Sequence, residues 1–525
     1  MKPSNGIKKI CKGFFDSMKK TRGAKVIINT FSYFLYILID IVCAFIVPRL
    51  ILTSYGSSSN GIVASITQFL SYTEFLFIGV SGATRAALYG PLSKGDKESV
   101  SKIVRATSLF MQKVAYVFLG FLVLLAVVYP FFVIDEYDYS FSFTLTLILG
   151  ASSFFQYFFA TTSRILLGAD QKTYVITIIS IITLLLQTIL SIVMIKLGAN
   201  LHQMKIGVAI IQILNPLVTF FYVKKKYKLN YSADPDKTAL KNRWNASAIS
   251  IANFINKNTD IVVITLFAGT LEVSVYTIYY LVVNGVSKVG TALSSGIEAA
   301  FGNMVAIGNE DVLKKNFSCF ETIIFSISNI IYSSCIVLIV PFILIYTSGV
   351  TDVSYNRIAF GLLATLAGFF ATVRNPYQSI CQAAGKYKET RDGAILEAFV
   401  NITLSITFVL KFGLVGVTIG TLAAMIIRTI QYAYYAYNHL VKIDIKNFYK
   451  RLFVSLFIIA ITYILYALLP MPAIDNYWKW ALLALCVVLF TTLLTLLLDL
   501  LFWKKDLKNI AVSIKNILKK DRVSQ

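Results

Sequence analysis

Apolar residues recur in long runs along the whole chain, separated by short polar segments. A run of roughly 20 apolar residues is the length that an α-helix needs to cross the hydrocarbon core of a bilayer. The runs are too long for transmembrane strands and lack their period-two alternation. The pattern therefore predicts an all-α polytopic membrane protein with about fourteen transmembrane helices. These cover residues 26–48, 60–83, 107–133, 141–163, 173–195, 206–223, 246–268, 273–296, 318–346, 356–380, 393–411, 414–436, 452–469 and 479–501.

Composition and charge placement agree with this class. Of the 525 residues, 57% are hydrophobic and 14% are charged, which excludes a soluble domain of this size. The net charge of +23 comes from Lys and Arg at the N-terminus, in every second loop and in the C-terminal tail, whereas the loop at 135–138 is acidic. This is the positive-inside pattern, so we expect both termini in the cytoplasm and an even number of helices. The basic charge is thus a topology signal, and no nucleic-acid partner is predicted.

The basic segments also divide the chain. The predicted order is a basic amphipathic cytoplasmic segment (1–25), a six-helix lobe (26–223), a cytoplasmic linker (224–245), a second six-helix lobe (246–438), two further helices (450–501) and a basic cytoplasmic tail (502–525). Both basic ends carry apolar residues at helical spacing. A helix on the membrane surface and a disordered tail remain open for each end.

The two lobes repeat local patterns in the same order, at offsets of about 211 to 220 residues. The matching pairs are 85–96 with 298–309, Asp40 with Asp260, and Pro130 with Pro341. Six helices in each lobe mean that both copies enter the membrane in the same direction. We therefore predict a parallel repeat, related by an axis along the membrane normal, which is a common transporter plan.

Seven charged residues lie within or at the ends of four of these helices. They are Asp40, Glu74, Arg85, Lys257, Asp260, Lys288 and Glu298. An ionised side chain at mid-bilayer costs roughly 2.5–3.5 kcal/mol, so such residues usually contact a partner or a water-filled path. Polar neighbours extend each charge into a stripe on one helix face, with Asn253 and Asn256 beside Lys257, and Asn284 beside Lys288.

Two interpretations of the stripes remain open. In the first, the charges pair along one helix and the polar groups hold helices together. In the second, the four stripes line a shared cavity between the halves, which the number of full charges favours. Secondary candidates are Arg374, which precedes Asn375-Pro376, together with Glu397 and Arg428.

Other chemistry has little support in the sequence. The six cysteines have no paired spacing, the two histidines have no metal-ligand neighbours, and no phosphate-binding Gly-rich loop is present. We predict no metal site, no cofactor and no enzymatic activity.

The fourteen helices, the parallel repeat, the stretch GVSGATRAAL at 79–88 and the basic loop after it resemble the polysaccharide (Wzx-type) flippases. These belong to the multidrug/oligosaccharidyl-lipid/polysaccharide exporter superfamily, and the resemblance covers residues 20–440. It implies two six-helix lobes around a V-shaped cavity. It also implies that undecaprenyl-diphosphate-linked oligosaccharide is flipped by alternating access across the bacterial cytoplasmic (inner) membrane, for capsule, O-antigen or exopolysaccharide synthesis.

The resemblance assigns roles to the stripes. Arg85, Lys257 and Lys288 would bind the diphosphate, and Asn253, Asn256 and Asn284 would bind sugars. The carboxylates of Asp40, Glu74, Asp260 and Glu298 would balance these cations or bind Na⁺ or H⁺ for coupling. Association with polysaccharide polymerase machinery is a further expectation. The alternatives are a MATE-like antiporter of small molecules or drugs, a lipid II flippase, and a glycan polymerase or ligase.

The topology is testable by labelling cysteines in whole cells. We expect Asp138→Cys to react with a membrane-impermeant maleimide from outside, since the acidic loop lies opposite the basic loops. Lys226→Cys, in a basic loop, should react only after the cells are opened, and the parent protein gives the background from its own cysteines. Labelling of Asp138→Cys only in opened cells would reverse the predicted orientation.

Overall fold

The computed structural model describes residues 22–230, 232–236, 247–294, 301, 304, 309–469 and 474–523. Throughout these residues the regular elements are helices, and none is a strand. The first helices are α1 (Arg22–Tyr55), α2 (Ser57–Ser71), α3 (Ile78–Lys94), α4 (Lys97–Val128), α5 (Tyr139–Phe155), α6 (Thr161–Ala169), α7 (Thr173–Lys196) and α8 (Leu201–Tyr227). They are followed by α9 (Ser247–Ser294), α10 (Glu310–Tyr346), α11 (Ile358–Val373), α12 (Asn375–Ala383), α13 (Tyr387–Phe412), α14 (Leu414–Tyr435), α15 (Lys446–Leu468), α16 (Tyr477–Phe502) and α17 (Lys504–Val523).

The helices confirm an all-α multi-pass membrane protein. Twelve described helical segments are long and apolar enough to cross a membrane. The bent pair Ser57–Leu76 and Gly79–Lys94, inclined by 47°, makes a thirteenth if it is taken as one span. The predicted number was about fourteen, and the difference lies at α9, which covers the predicted spans 246–268 and 273–296 together. Two helices meet inside α9 at Gly269, where the backbone leaves the helical conformation.

The chain forms two compact units, Met1–Ile251 and Ala252–Gln525. In the first unit, α4 supplies the centre of the core through Met111, Phe118 and Leu122, which pack with Ile62 and Ile66 of α2. The outer helix α7 is apolar over most of its surface, with only Thr188 and Ser191 buried, as expected for a helix that faces lipid. The cavity described below lies among α2, α5, α6, α7 and α8 of this unit.

In the second unit, α10 is the most buried of the spans. It contacts α11, α15 and α16, and the tail helix α17 also packs against it. The core around α10 is aromatic, and includes Phe317, Phe369 and Tyr377. For the C-terminal segment, the structure has a helix, one of the two possibilities that the sequence left open.

The internal repeat is visible in the backbone. Four residues with positive φ in the first unit have counterparts in the second: Gly56 and Gly269, Gln171 and Gly385, Gly198 and Gly413, Lys228 and Lys442. The offsets are 213, 214, 215 and 214 residues. Left-handed conformations are uncommon outside glycine, so their recurrence at one offset supports duplication more strongly than the sequence matches do.

The first of these pairs marks a break between helices. Gly56 has φ 85° and ψ 170° between α1 and α2, and Gly269 has φ 85° and ψ 173° within α9. A side chain with a Cβ is disfavoured in this region of backbone conformation, which is populated almost exclusively by glycine. Glycine is therefore required at both positions for a backbone reason.

We predict that Gly56→Ala and Gly269→Ala each lower the free energy of unfolding by about 1–3 kcal/mol, because alanine strains these conformations. Thermal unfolding of the purified protein in detergent measures the loss. The control is Gly120→Ala in α4, where an added Cβ meets no atom within 4 Å. That variant should be neutral or stabilised by up to about 1 kcal/mol. Equal melting temperatures for all three variants would contradict the backbone argument.

Candidate functional site

A polar cavity of about 450 Å³ lies inside the first unit. Its apolar lining comes from residues such as Val63, Leu70 and Leu149. Its polar lining consists of amide, hydroxyl and charged side chains: Thr67, Ser71, Glu74, Ser152, Ser153, Gln156, Arg164, Thr183, Lys205, Gln212 and Asn215. Such a volume is within the range of small-molecule sites, which are mostly apolar with a few converging polar groups.

Hydrogen bonds fix the amide side of the cavity. Nη2 of Arg164 donates to Oδ1 of Asn215 at 2.9 Å, and Nδ2 of Asn215 donates to Oγ1 of Thr183 at 3.1 Å. One turn away, Nε2 of Gln212 donates to Oε1 of Gln187 at 3.2 Å. These bonds join α6, α7 and α8, so the arginine is held by a network rather than by a carboxylate.

A π-helical turn explains how Gln156 and Arg164 reach the same cavity. The segment Gln156–Ala160 between α5 and α6 is a π-helix. In a regular α-helix, residues eight apart point about 80° away from each other. A π-turn takes up roughly one extra residue, and this returns the two side chains to about the same face.

The cavity contains more positive than negative charge. Arg164 and Lys205 are cationic, and Glu74 is the one carboxylate among the lining residues. Lys205 is buried, with 9% of its surface exposed. Among the described residues, no Asp or Glu lies within ion-pair distance of its ammonium group. A buried charge without a counter-charge is costly, so this lysine is a functional candidate.

A second candidate lies in the second unit, around Asp260. Its carboxylate is buried, and Oδ2 accepts hydrogen bonds from the Tyr276 hydroxyl at 2.9 Å and Oγ1 of Thr421 at 2.7 Å. The amide side chain of Asn401 lies near this carboxylate, whose Oδ1 has no hydrogen-bond partner among the described residues. Oγ of Ser405 bonds to Oδ1 of Asn401 at 3.2 Å. No described Lys or Arg forms an ion pair with Asp260, and its hydrogen-bond donors among the described residues are neutral hydroxyl groups.

The secondary candidates form a buried ion cluster in the second unit. The carboxylate of Glu397 binds Nη1 of Arg374 at 2.7 Å and Nε of Arg428 at 3.4 Å. Arg428 is completely buried. It also donates to the Thr390 carbonyl at 2.7 Å and to the Tyr432 hydroxyl at 2.8 Å. One carboxylate on α13 is thus shared by two guanidinium groups, one directly before α12 and one on α14, inside the unit.

A further cluster joins the tail helix to this unit. Nε of Arg451 lies 3.1 Å from the Glu321 carboxylate, and its Nη2 lies 3.0 Å from Asp506 of α17. The hydroxyl of Tyr437 donates to both oxygens of Glu321, at 2.8 and 2.9 Å. The Ser318 hydroxyl donates to Asp506 at 2.7 Å. The first turn of α17 is therefore anchored by a buried network.

The structure separates the predicted stripe residues into different environments. Arg85 is exposed on α3, and a methyl group added at Gly168 would lie 3.3 Å from its Nη2. Glu74 lines the cavity of the first unit, and Asp40 is partly buried on α1. On α9, Lys288 is partly buried, Asn284 is exposed and Asp260 is buried. The side chains of Asn253, Asn256 and Lys257, and all of Glu298, lie outside the described residues.

Sequence reasoning missed several of the residues above. Glu321 lies inside the predicted span 318–346, so a complete search for charges in apolar runs would have found it. Lys205, Gln212 and Asn215 share one face of α8 at helical spacing. This polar stripe is the sequence signal for the cavity.

Comparisons with known proteins agree with the helical architecture. No protein-family model matches the chain, and no curated protein matches its sequence. Among solved structures, the lipid II flippase MurJ in an inward closed conformation has a TM-score of 0.65 at 18% identity, covering 91% of this chain and 99% of that protein. An inward-facing multidrug resistance MATE family transporter of the MOP superfamily has a TM-score of 0.56 at 16% identity, covering 75% and 93%. A eukaryotic MATE transporter has 0.55 at 12% identity, covering 83% and 98%.

The helical fold is thus similar to that of these flippase and transporter structures. Identities this low establish the fold alone. Within that fold, the first unit has a cationic cavity, whereas the second has charges enclosed by their partners. The described residues contain no group of three His, Cys, Asp or Glu side chains suited to a metal ion.

We predict that Glu397→Ala destabilises the second unit by about 3–5 kcal/mol, because it leaves the buried guanidinium of Arg428 and the partly buried one of Arg374 without their shared carboxylate. Thermal unfolding in detergent measures this loss. Glu389→Ala removes an acid from the same helix, where Glu389 and Lys386 form an exposed pair, and should cost at most about 1 kcal/mol. The ion cluster would have no structural role if the two variants melted together.

Proposed function

We propose that this protein flips undecaprenyl-diphosphate-linked oligosaccharide across the bacterial cytoplasmic membrane for the synthesis of a surface polysaccharide, by alternating access. The observation that carries the proposal is the cationic polar cavity inside a transporter fold, with Arg164 and Lys205 against a single Glu74. A diphosphate headgroup with its sugars must cross roughly 30 Å of hydrocarbon. Fixed cations and amides are the groups that replace the hydration of an anionic, sugar-bearing substrate on such a path.

The cations on the sequence stripes extend this argument. Arg85, Lys257 and Lys288 are proposed to bind the diphosphate through charge-assisted hydrogen bonds, and Asn253, Asn256 and Asn284 to bind sugar hydroxyls. Arg85 is exposed on α3 and Lys288 is partly buried on α9. Both side chains can therefore contact groups outside their own helix.

Asp260 is proposed to couple transport to Na⁺ or H⁺. Among the described residues, its carboxylate accepts hydrogen bonds from the neutral hydroxyls of Tyr276 and Thr421, with the amide of Asn401 nearby. Binding of a proton or a small cation neutralises the negative charge of such a buried carboxylate, and its release restores that charge. Asp40, Glu74 and Glu298 are proposed to balance the substrate-binding cations when no substrate is bound.

Two other substrates belong to the same fold. A lipid II flippase would need the same recognition of a lipid-linked diphosphate, and MurJ is the structure with the highest TM-score among those above. Export of cationic drugs, as in MATE-like antiporters, is disfavoured because the cavity holds two cations and one acid.

The proposed location is the inner membrane, with both termini in the cytoplasm. Association with the polysaccharide polymerase machinery is proposed as well, because a polymerase would use the flipped oligosaccharide.

Deletion separates these functions in cells. Accumulation of complete lipid-linked precursor on the cytoplasmic face, with loss of surface glycan, is expected for an oligosaccharide flippase. Accumulation of the peptidoglycan precursor instead would indicate a lipid II flippase. Unchanged glycans with altered drug sensitivity would indicate an exporter.

We predict that Arg85→Ala, Lys257→Ala and Lys288→Ala each abolish surface glycan without reducing the amount of protein in the membrane, because each removes a charged hydrogen bond to phosphate. Surface glycan is measured in deletion cells that express each variant. Lys224→Ala, at an exposed lysine of the basic loop, is the control and should restore normal glycan. The proposed phosphate site is wrong if all three variants also restore it.

A further inference from the structure

We propose that the cavity of the first unit is a binding subsite for a carboxylate-bearing sugar unit, held by Lys205 and Arg164. The proposal rests on the proposed function, because it names the chemical class of a sugar in the transported glycan. It is distinct from the diphosphate site proposed for Arg85, Lys257 and Lys288. Three features of the cavity point to this ligand: its cations without acidic partners, its size and the mixed character of its lining.

The first feature is that the cavity contains cationic side chains without a described acidic partner. Lys205 is buried and lines the cavity, and no described carboxylate pairs with it. Arg164 also lines the cavity, and among the described residues its guanidinium donates to the neutral amide of Asn215. Two such cations on α6 and α8 point to an anionic ligand, because a buried charge without a counter-charge is costly.

The second feature is the size of the cavity. The cavity of about 450 Å³ is far larger than a single halide or phosphate ion needs, and lies in the range of sites for small organic ligands. Only part of it is cationic. An inorganic ion at Lys205 would therefore leave the amide side of the cavity unfilled.

The third feature is that the rest of the lining is part polar and part apolar. Gln156 and Gln212 present amide groups, and Thr67, Ser71 and Ser152 present hydroxyl groups, to the same space. Val63, Leu70 and Val208 supply apolar surface between them. A ring that carries hydroxyls on its edge, an apolar face and one carboxylate matches this combination, and an acidic sugar such as a uronate has these features.

Glu74 lowers the net positive charge of the cavity, and this net charge determines which ligand charge the cavity favours. With Arg164 and Lys205 it leaves the cavity one positive charge in excess. A neutral sugar would leave this excess uncompensated, and a cationic ligand would add to it. One carboxylate neutralises it, whereas a dianion reverses it.

The test uses the purified full-length protein in detergent, with glucuronate as the probe and glucose as its neutral match. We expect glucuronate to raise the melting temperature in a saturable way, since a ligand that binds the folded state stabilises it. Glucose, and sodium chloride at the same ionic strength, should not raise it. Inorganic phosphate distinguishes the source of the anion: an effect equal to that of glucuronate would overturn the sugar assignment in favour of a free-anion site.

Variants locate the binding. Lys205→Met keeps the length of the side chain without its charge, and replacing a buried charge by an apolar group is often neutral or stabilising. We expect it to weaken glucuronate binding about tenfold or more, whereas Lys205→Arg should retain binding. Lys196→Met, at an exposed lysine at the end of α7, is the matched control and should bind as the parent does. Unchanged binding in Lys205→Met would overturn the proposal.

The result is independent of the test of flipping. Loss of glucuronate binding in Lys205→Met is measured in detergent, whereas flipping is judged from precursor accumulation in deletion cells. If glucuronate does not bind but precursor accumulates, the subsite is wrong and the flippase proposal stands. If glucuronate binds but precursor does not accumulate, the anion site stands and the proposed function fails.

Discussion

An ionised group in the apolar interior of this protein needs partners that replace the water it has lost, and the second unit depends on that requirement. The carboxylate of Glu397 binds Arg374 and Arg428 inside the helix bundle. Arg428 has no exposed surface and uses its remaining donors on a backbone carbonyl and a tyrosine hydroxyl. Because desolvation of each ion costs several kcal/mol, these contacts constrain how α12, α13 and α14 pack.

The same requirement holds at the end of the chain. Arg451 joins Glu321 to Asp506, and so connects α15 and α10 to the first turn of α17. A basic amphipathic helix would otherwise have only its apolar face to place it at a membrane surface. Here the partly buried carboxylate of Asp506 at its beginning anchors the start of that helix to the rest of the second unit.

The interior cations of the first unit have a different environment from those of the second unit. Arg164 is held by Asn215 rather than by an acid, and Lys205 has no described acidic partner. Both side chains line an open cavity instead of a closed cluster. The backbone repeat, with matched left-handed positions such as Gly56 and Gly269, indicates that the two units share an origin. Their interior polar groups have diverged, so equivalent helices carry a cavity in one unit and ion pairs in the other.

The apolar pattern of the chain is enough to predict the fold class, because runs of apolar residues long enough to span a bilayer leave α-helix as the one way to satisfy the backbone. The sequence also predicts the duplication and names Asp260, Glu397 and Arg428 as candidate site residues. The folded structure determines which charges pair with each other, since Glu321 and Arg451 are 130 residues apart in the chain. It likewise decided that Gln156, Arg164 and Lys205 line one cavity. That arrangement depends on a π-turn and on the packing of α6 against α8, which hydrophobic periodicity along one helix does not encode.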